Sequence, residues 1–201
     1  MLIQMNAQNP PQRLLAMATE VLQRGGVIAY PTDTHYGIGC DIFNKRAIEK
    51  IYQLRQRDKK KPFSFICSDL KHISDYAKVS NYAYKTMRRL LPGPYTFILE
   101  GSKLVPRIML TKRRTAGIRV PDHAICIALV KTLGNPIIST SAKDPDGDIF
   151  EDPSLLHDYF GNRIDLVIDG GPVSGRPSSV ISLIDDEPEI LREGLGDVSS
   201  L

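Results

Sequence analysis

The sequence predicts one layered α/β (α+β) domain, in which a mixed sheet is flanked by helices. Three observations support this. Helical and strand patterns alternate along most of the chain. Strand patterns follow one another near the C-terminus, which favours some antiparallel pairing. The 201 residues, 42% of them apolar, suffice for one sizeable core, and no internal repeat divides them. No apolar run reaches the roughly 18–20 residues of a membrane helix, so no membrane partner is expected.

The first half of the chain begins with a helical pattern of apolar residues over 14–22, which Gly25-Gly26 would end. The apolar run 27–30 predicts a buried strand that Pro31 closes. Further apolar patterns predict helices over 48–57, 69–77 and 80–91, and strands at 63–67 and 95–99.

The second half continues with a strand at 117–120 and a helix over 123–133, for which Gly134 is the expected C-terminal cap. The remaining patterns predict strands at 137–140, 164–168, 180–184 and 189–192, and a helix over 155–160. The acidic, turn-rich segment 143–153 is expected to be an exposed loop. We expect a single domain over residues 8–198.

The net charge of +3 is distributed very unevenly along the chain. Residues 1–143 carry a net charge of +14, whereas residues 144–201 carry −11. This pattern indicates either an anionic partner for the basic part or mutual neutralisation within one fold. Three widely spaced cysteines and an N-terminus without a signal-peptide pattern predict a reduced, cytoplasmic setting.

The chain contains no phosphate-binding loop, dinucleotide fingerprint, HExxH or GxSxG motif. Its four histidines share no metal-ligand spacing, so no metal site and no catalytic histidine are predicted. Their positions are His35, His72, His123 and His157.

Three segments favour binding of an anion. Residues 30–39 place hydroxyls and glycines directly after a buried strand, where backbone N–H groups can approach a ligand, although an ordinary turn explains them too. Residues 55–62 carry five cations and one acid, which suit either an anion or a solvated loop. Residues 101–121 contain six cations and no acid.

Arg119 is distinctive because it lies within a predicted strand, where a charge must reach water or meet a partner. Arg192 and the hydroxyls of 139–141 also occur at strand ends. Cations and hydroxyls at several strand ends are typical of a crevice for an anion. These residues predict binding of a polyanion, either a nucleotide or RNA.

The same segments resemble the YrdC/YciO family over residues 12–197, most closely its YciO branch. The resemblance is carried by an ordered set of short motifs: Pro31-Thr32-Asp33-Thr34-His35-Tyr36-Gly37-Ile38-Gly39, Arg55-Gln56-Arg57, Pro92-Gly93-Pro94-Tyr95-Thr96, Gly117-Ile118-Arg119-Val120-Pro121-Asp122-His123, Ser139-Thr140-Ser141-Ala142, Ser178-Ser179-Val180 and Leu191-Arg192-Glu193-Gly194.

The resemblance implies a three-layer fold with a twisted mixed sheet and a basic concave face. It implies synthesis of threonylcarbamoyl-AMP and pyrophosphate from L-threonine, bicarbonate and ATP with Mg²⁺, for modification of tRNA adenosine 37. It also implies binding of double-stranded RNA. The residues that it places around threonine are Thr34, Arg119, Ser139 and Ser178, and those around ATP are Arg57, Lys61, Thr115, Ser141 and Arg192.

No side-chain nucleophile is implied: Arg57, Lys61 and Arg119 would position the substrates and stabilise charge. The chain departs from the family pattern where Lys-x-Arg reads Arg55-Gln56-Arg57 and where Ser-x-Asn reads Ser141-Ala142-Lys143. An acidic stretch, 144–149, replaces the next part of the ATP site. The alternatives are therefore an RNA-binding paralogue with little catalysis, or a ligase with another carbamoyl donor or acceptor.

Overall fold

The computed structural model describes residues 1–56, 58, 62–199 and 201. Within these residues the strands form one ten-stranded mixed sheet, in the order β1-β8-β2-β3-β7-β4-β6-β5-β9-β10. The strands are β1 (Leu2–Gln4), β2 (Ile28–Tyr30), β3 (Gly37–Gly39), β4 (Ser64–Ile66), β5 (Tyr95–Glu100), β6 (Thr115–Arg119), β7 (Ile137–Ser141), β8 (Leu166–Asp169), β9 (Ser179–Ser182) and β10 (Glu189–Arg192). The helices are α1 (Gln12–Gln23), α2 (Lys45–Leu54), α3 (Leu70–Tyr76), α4 (Asn81–Leu90), α5 (Ala124–Leu133) and α6 (Pro153–Phe160).

Helices cover both faces of the sheet, as the alternation of strand residues shows. Leu166 and Ile168 of β8 pack into one apolar cluster with helices α1 and α5, whereas Val167 between them joins the other cluster. That second cluster includes residues of α2, α3, α4 and α6. Since successive side chains of a strand point to opposite faces, the two clusters lie on opposite sides of the sheet. The prediction of a mixed sheet flanked by helices is confirmed.

Parallel and antiparallel pairs both occur, as predicted. Strand β6 is parallel to β4 and antiparallel to β5, and β9 is antiparallel to β10. Strands β3 and β7 are antiparallel, with Gly37 opposite Ser141. These pairings bring the motif after β2, the C-terminal part of β7 and strand β6 to neighbouring positions, although they are far apart in sequence.

The motif after β2 is not wholly a loop, and that prediction was incomplete. Its second half is strand β3, which forms an antiparallel pair with β2. A Cβ at Gly39 would lie 2.0 Å from the carbonyl oxygen of Ile138, so only glycine permits this approach to β7. The glycines of this motif therefore serve the packing of strand β3 as well as the turn before it. Strand β1 is a further element that the apolar pattern did not predict.

The predicted helices are all present, with boundaries shifted by a few residues. Asn44, Asp69, Ser80 and Asp152 cap the N-termini of α2, α3, α4 and α6 through side-chain oxygens. Gly134 ends α5 with φ of 79°, as expected for a left-handed cap. In the described part of the chain, no helix has the length and apolar character needed to cross a membrane.

The three cysteines are buried within the core and form no disulfide with one another. Burial raises the pKa of each thiol, so all three stay protonated at neutral pH. They therefore act as small apolar core residues.

Candidate functional site

A cavity of about 340 Å³ lies over the middle of the sheet. Its walls are the segment between β2 and β3 and residues of β4, β5, β6, β7, β9 and β10. The lining is rich in hydroxyl groups and contains two arginines, and no acidic side chain is among the described lining residues. A cavity of this composition suits a small polar or anionic ligand.

Threonine hydroxyls order the segment between β2 and β3. The Thr32 hydroxyl donates to the carbonyl of His35 at 2.6 Å and accepts from the backbone N–H groups of Thr34 and His35. The single hydroxyl proton of Thr32 is already donated to His35. In the 3.0 Å contact between the two threonine hydroxyls the donor is therefore Thr34, unless Thr34 donates to a ligand instead. Thr32 thus fixes the loop and leaves Thr34 facing the cavity.

The positive charge of Arg119, which lies within strand β6, is balanced by a buried ion pair. Its Nη2 donates to Oδ1 of Asp33 at 2.7 Å and to the hydroxyl of Thr34 at 3.0 Å. Both charged side chains are about nine-tenths buried. The other oxygen of Asp33 accepts the backbone N–H of Asp122. Buried Nε of Arg119 has no hydrogen-bond partner in the described ranges, which leaves a costly unsatisfied donor next to the cavity.

Ser178 and Arg192 form the opposite wall. Arg192 donates from Nε and Nη2 to the carbonyl of Ser178, at 3.1 and 2.9 Å, and from Nη2 to its hydroxyl at 3.2 Å. The Ser178 hydroxyl also lies 2.8 Å from that of Thr96. Partial desolvation and the charge of Arg119 both lower the pKa of Arg192, so the two guanidinium groups repel one another across the cavity. An anion between them relieves that repulsion.

The remaining hydroxyls come from the strands of the cavity floor. Thr115 lies 2.7 Å from Thr111, hydroxyl to hydroxyl, at the start of β6. Ser139 is buried on β7 beside the hydroxyl of Tyr30, and Ser141 is half-buried two residues farther along the strand. Ser139 and Ser141 are two residues apart on one strand, so their side chains point to the same face of the sheet.

Seven of the nine residues assigned by resemblance therefore line one cavity. They are Thr34, Thr115, Arg119, Ser139, Ser141, Ser178 and Arg192. Arg57 and Lys61 lie outside the described residues, and all nine ligand roles stay predictions. Residues without an assigned role also reach the cavity: Thr96 belongs to a quoted motif, whereas Thr111 carries no sequence signal beyond its hydroxyl.

The residues substituted in the two altered motifs, Arg55 and Lys143, contact one another. The guanidinium of Arg55 donates from Nη1 to the backbone carbonyl of Lys143. An arginine here thus fixes the chain just after β7. Within the following acidic turn, Asp144 accepts the N–H groups of Gly147 and Asp148 through Oδ1, both at 2.8 Å. This carboxylate oxygen shapes the turn by accepting from backbone groups three and four residues ahead.

Comparison with known proteins gives a consistent result. Residues 20–194 match the family model for Sua5, YciO and YrdC proteins, which is described as telomere recombination. The chain is 45% identical to the Escherichia coli protein YciO over 192 residues, covering 94% of this chain and 93% of that protein. It is 34% identical over 173 residues to the threonylcarbamoyl-AMP synthase of Coxiella burnetii, covering 85% of this chain and 92% of that protein.

Two crystal structures agree with the fold. E. coli YciO superposes with a TM-score of 0.94 at 43% identity, over 99% of this chain and 98% of that one. P. abyssi Sua5 complexed with L-threonine superposes with a TM-score of 0.89 at 27% identity, over 96% of this chain and 57% of that longer one.

Proposed function

This chain belongs to the Sua5/YciO/YrdC family, and on that premise we propose that its cavity binds L-threonine and ATP and forms threonylcarbamoyl-AMP. The observation that carries the proposal is the buried arginine at the cavity wall, which has an unsatisfied N–H group and a hydroxyl partner beside it. Support also comes from relatives named threonylcarbamoyl-AMP synthase and from a Sua5 structure that contains L-threonine.

Threonine recognition follows from the geometry of Arg119. Asp33 and Thr34 hold Nη2, so the guanidinium plane is fixed, and the buried Nε of this cavity-lining residue has no partner among the described residues. A carboxylate of the ligand accepts from Nε with a charge-assisted hydrogen bond. The hydroxyl oxygens of Ser178 and Thr34 line the cavity, and each keeps a lone pair that can accept from a polar group of the amino acid.

The reaction that this cavity supports needs no covalent intermediate with the protein. Threonine and bicarbonate give the N-carboxylate of threonine and water. A carboxylate oxygen of this carbamate then attacks the α-phosphorus of ATP, the bond from that phosphorus to the β-phosphate oxygen breaks, and pyrophosphate leaves. Mg²⁺ enters with the nucleotide as part of the substrate. The product would serve modification of tRNA adenosine 37.

The protein contributes charge and orientation in this scheme. Arg119 is paired with Asp33 outside the cavity lining, whereas Arg192 faces the cavity with no carboxylate among the described lining residues, and the two guanidinium groups together stabilise negative charge on the phosphates. Fixed hydroxyls on the β-strands hold the reacting groups together. Arg57 and Lys61 extend this role in the proposal.

The deciding experiment is release of pyrophosphate from ATP in the presence of Mg²⁺ and bicarbonate, with and without L-threonine. Threonine-dependent release supports the proposal. Release that is equal without threonine indicates another acceptor, and absence of release under all conditions contradicts synthesis. Arg24→Lys, a substitution in an exposed ion pair with Glu20, is a matched control and should leave the rate unchanged.

A second candidate is an RNA-binding paralogue with little catalysis. The observation that favours it is a run of three exposed cations, Lys112, Arg113 and Arg114, between the cavity residues Thr111 and Thr115. RNA phosphates bound there would release counterions, so affinity would fall steeply with salt.

The salt dependence of tRNA binding tests this candidate. Replacing residues 112–114 with alanine should reduce the slope of log affinity against log salt by about 1 for each phosphate that the loop no longer binds. A variant with Lys85, Arg88 and Arg89 of α4 replaced by alanine carries the same net charge and is the matched control. An equal reduction in both variants would mean that the overall charge, not this loop, binds RNA.

A further inference from the structure

The side chain of His35 is a titratable cavity group to which the proposed reaction assigns no role. The residue is only 4% exposed, and it lines the cavity between Thr34 and Tyr36. Neither ring nitrogen has a hydrogen-bond partner in the part of the chain that the structure describes. A buried imidazole without a partner costs free energy, so a functional reason for its retention is expected.

The backbone on both sides of His35 is hydrogen-bonded to its surroundings. Its N–H and carbonyl both bond to the hydroxyl of Thr32. The next residue, Tyr36, donates its hydroxyl to the carbonyl of Gly171 at 2.7 Å, and its carbonyl accepts from Ala142. These bonds fix the backbone that carries the imidazole at the cavity wall.

Within the described part of the chain, the charges that act on His35 are all positive. They come from three different elements: Lys143 after β7, Arg119 on β6 and Arg192 on β10. The nearest carboxylate along the chain, Asp33, is engaged by Arg119 at 2.7 Å. Burial is the main reason that the pKa of His35 falls to about 4, and the three cations lower it further. The ring is accordingly neutral in the ligand-free protein at physiological pH.

An oxyanion in the cavity reverses these conditions. It neutralises the field of the three cations, and it offers an acceptor to a ring nitrogen that has none among the described residues. A protonated imidazole then gains a charge-assisted hydrogen bond, whereas a neutral one has a single donor and an idle acceptor.

We propose that His35 is a proton-linked oxyanion ligand: it takes up a proton and donates a hydrogen bond to a carboxylate, carbamate or phosphate group that occupies the cavity. This inference rests on the proposed function, because it concerns the same cavity and the same anionic substrates. It assigns to the cavity a residue whose contribution depends on pH.

The sign of the linkage is fixed by the direction of the change. His35 gains a proton when the anion binds, so binding strengthens as pH falls. If the complex restores an ordinary imidazole pKa near 6.5, L-threonine binds about 30-fold more tightly at pH 5 than at pH 7.5. The charges of L-threonine itself are constant over this range.

The test is a histidine titration by nuclear magnetic resonance, without ligand and with saturating L-threonine or sulfate. Sulfate is a stand-in for phosphate that keeps its charge over the same range. The His35 signal is identified by its disappearance in His35→Asn or, if that variant does not fold, by elimination with substitutions of the other three histidines. We expect titration below pH 5 without ligand and above pH 6 with an oxyanion bound.

Calorimetry in two buffers of different ionisation enthalpy measures the protons taken up. Uptake should approach one proton per site near pH 5.5 in wild type and in the matched control His72→Asn, and it should vanish in His35→Asn. A His35 signal that does not respond to a bound ligand, or failure of both ligands to bind, overturns the proposal. Uptake with sulfate but no binding of threonine retains the oxyanion site and removes the threonine function. Threonine binding without proton uptake retains the threonine function and removes the proton-linked oxyanion role of His35.

Discussion

Replacing Arg119 with lysine separates the structural role of this residue from its proposed role in binding. Arginine uses Nη2 for Asp33 and Thr34, and its buried, unpartnered Nε is the donor to the ligand in the proposed function. Lysine carries the same charge on one terminal nitrogen and cannot reproduce this planar geometry. It can remain with Asp33 or turn to the ligand, so the variant forms one charge-assisted hydrogen bond fewer to threonine.

The expected decrease in affinity follows from that single bond. A hydrogen bond to a charged group contributes about 1.5–3 kcal/mol, which corresponds to roughly 10- to 150-fold weaker binding. The fold should be largely preserved because the ion pair with Asp33 is kept. Arg119→Ala is different: it leaves Asp33 buried without its cation, which costs about 3–5 kcal/mol of folding stability.

Calorimetric titration with L-threonine and thermal unfolding measure the two effects. Arg119→Lys should lose affinity with little change in Tm, and Arg119→Ala should unfold roughly 6–20 °C lower if 1 kcal/mol shifts Tm by about 2–4 °C. Arg24→Lys should resemble wild type in both assays. Unchanged threonine affinity in Arg119→Lys would refute the reasoning, since the Nε donor would then have no part in binding.

Three further predictions concern the scaffold and the cavity wall. Gly39→Ala should lower the free energy of unfolding in urea by about 1–3 kcal/mol, because the new Cβ would lie 2.0 Å from the carbonyl of Ile138; an unchanged midpoint would contradict the close approach. For Asp165, burial raises the carboxyl pKa, but the N–H of Val27 and a nearby lysine outweigh it, so the net shift is downward. Its stabilising effect is complete above the unfolded pKa of 3.8 and is lost as pH falls through the lower folded value, so Asp165→Asn should flatten stability against pH below about 4 in acid unfolding. Ser178→Ala removes a hydroxyl that an arginine and a threonine both contact, and threonine affinity should fall by about 1 kcal/mol, or roughly fivefold, in calorimetry; full affinity would exclude this hydroxyl from the site.

Sequence patterns predict a helix or strand well when residues close to one another in sequence are sufficient to form it. Helix α5 follows from apolar residues at helical spacing and from Gly134, whose positive φ needs no tertiary contact. Strand β3 escapes prediction because three residues, two of them glycine, carry no apolar pattern. Its existence depends on pairing with β2 and β7, and β7 lies about a hundred positions away.

The candidate site likewise combines features that the sequence predicts with features that depend on tertiary structure. The unusual position of Arg119 in a strand pattern is sufficient to predict that it meets a partner, but it does not identify that partner. Asp33 and Arg119 are 86 residues apart, and only the sheet brings them within 2.7 Å. The contact between Arg55 and Lys143, which joins the two departures from the family pattern, also depends on tertiary structure.

The sequence by itself determined the fold class and the family and predicted an anionic ligand, because apolar spacing, ordered motifs and charge are properties of the chain. Tertiary structure alone decided which polar groups are satisfied. By its spacing His35 is an ordinary histidine, yet in the fold it is buried without a hydrogen-bond partner among the described residues and is surrounded by three cations from distant segments. Burial and electrostatic field arise from groups that are close in space, and their separation along the chain does not specify them.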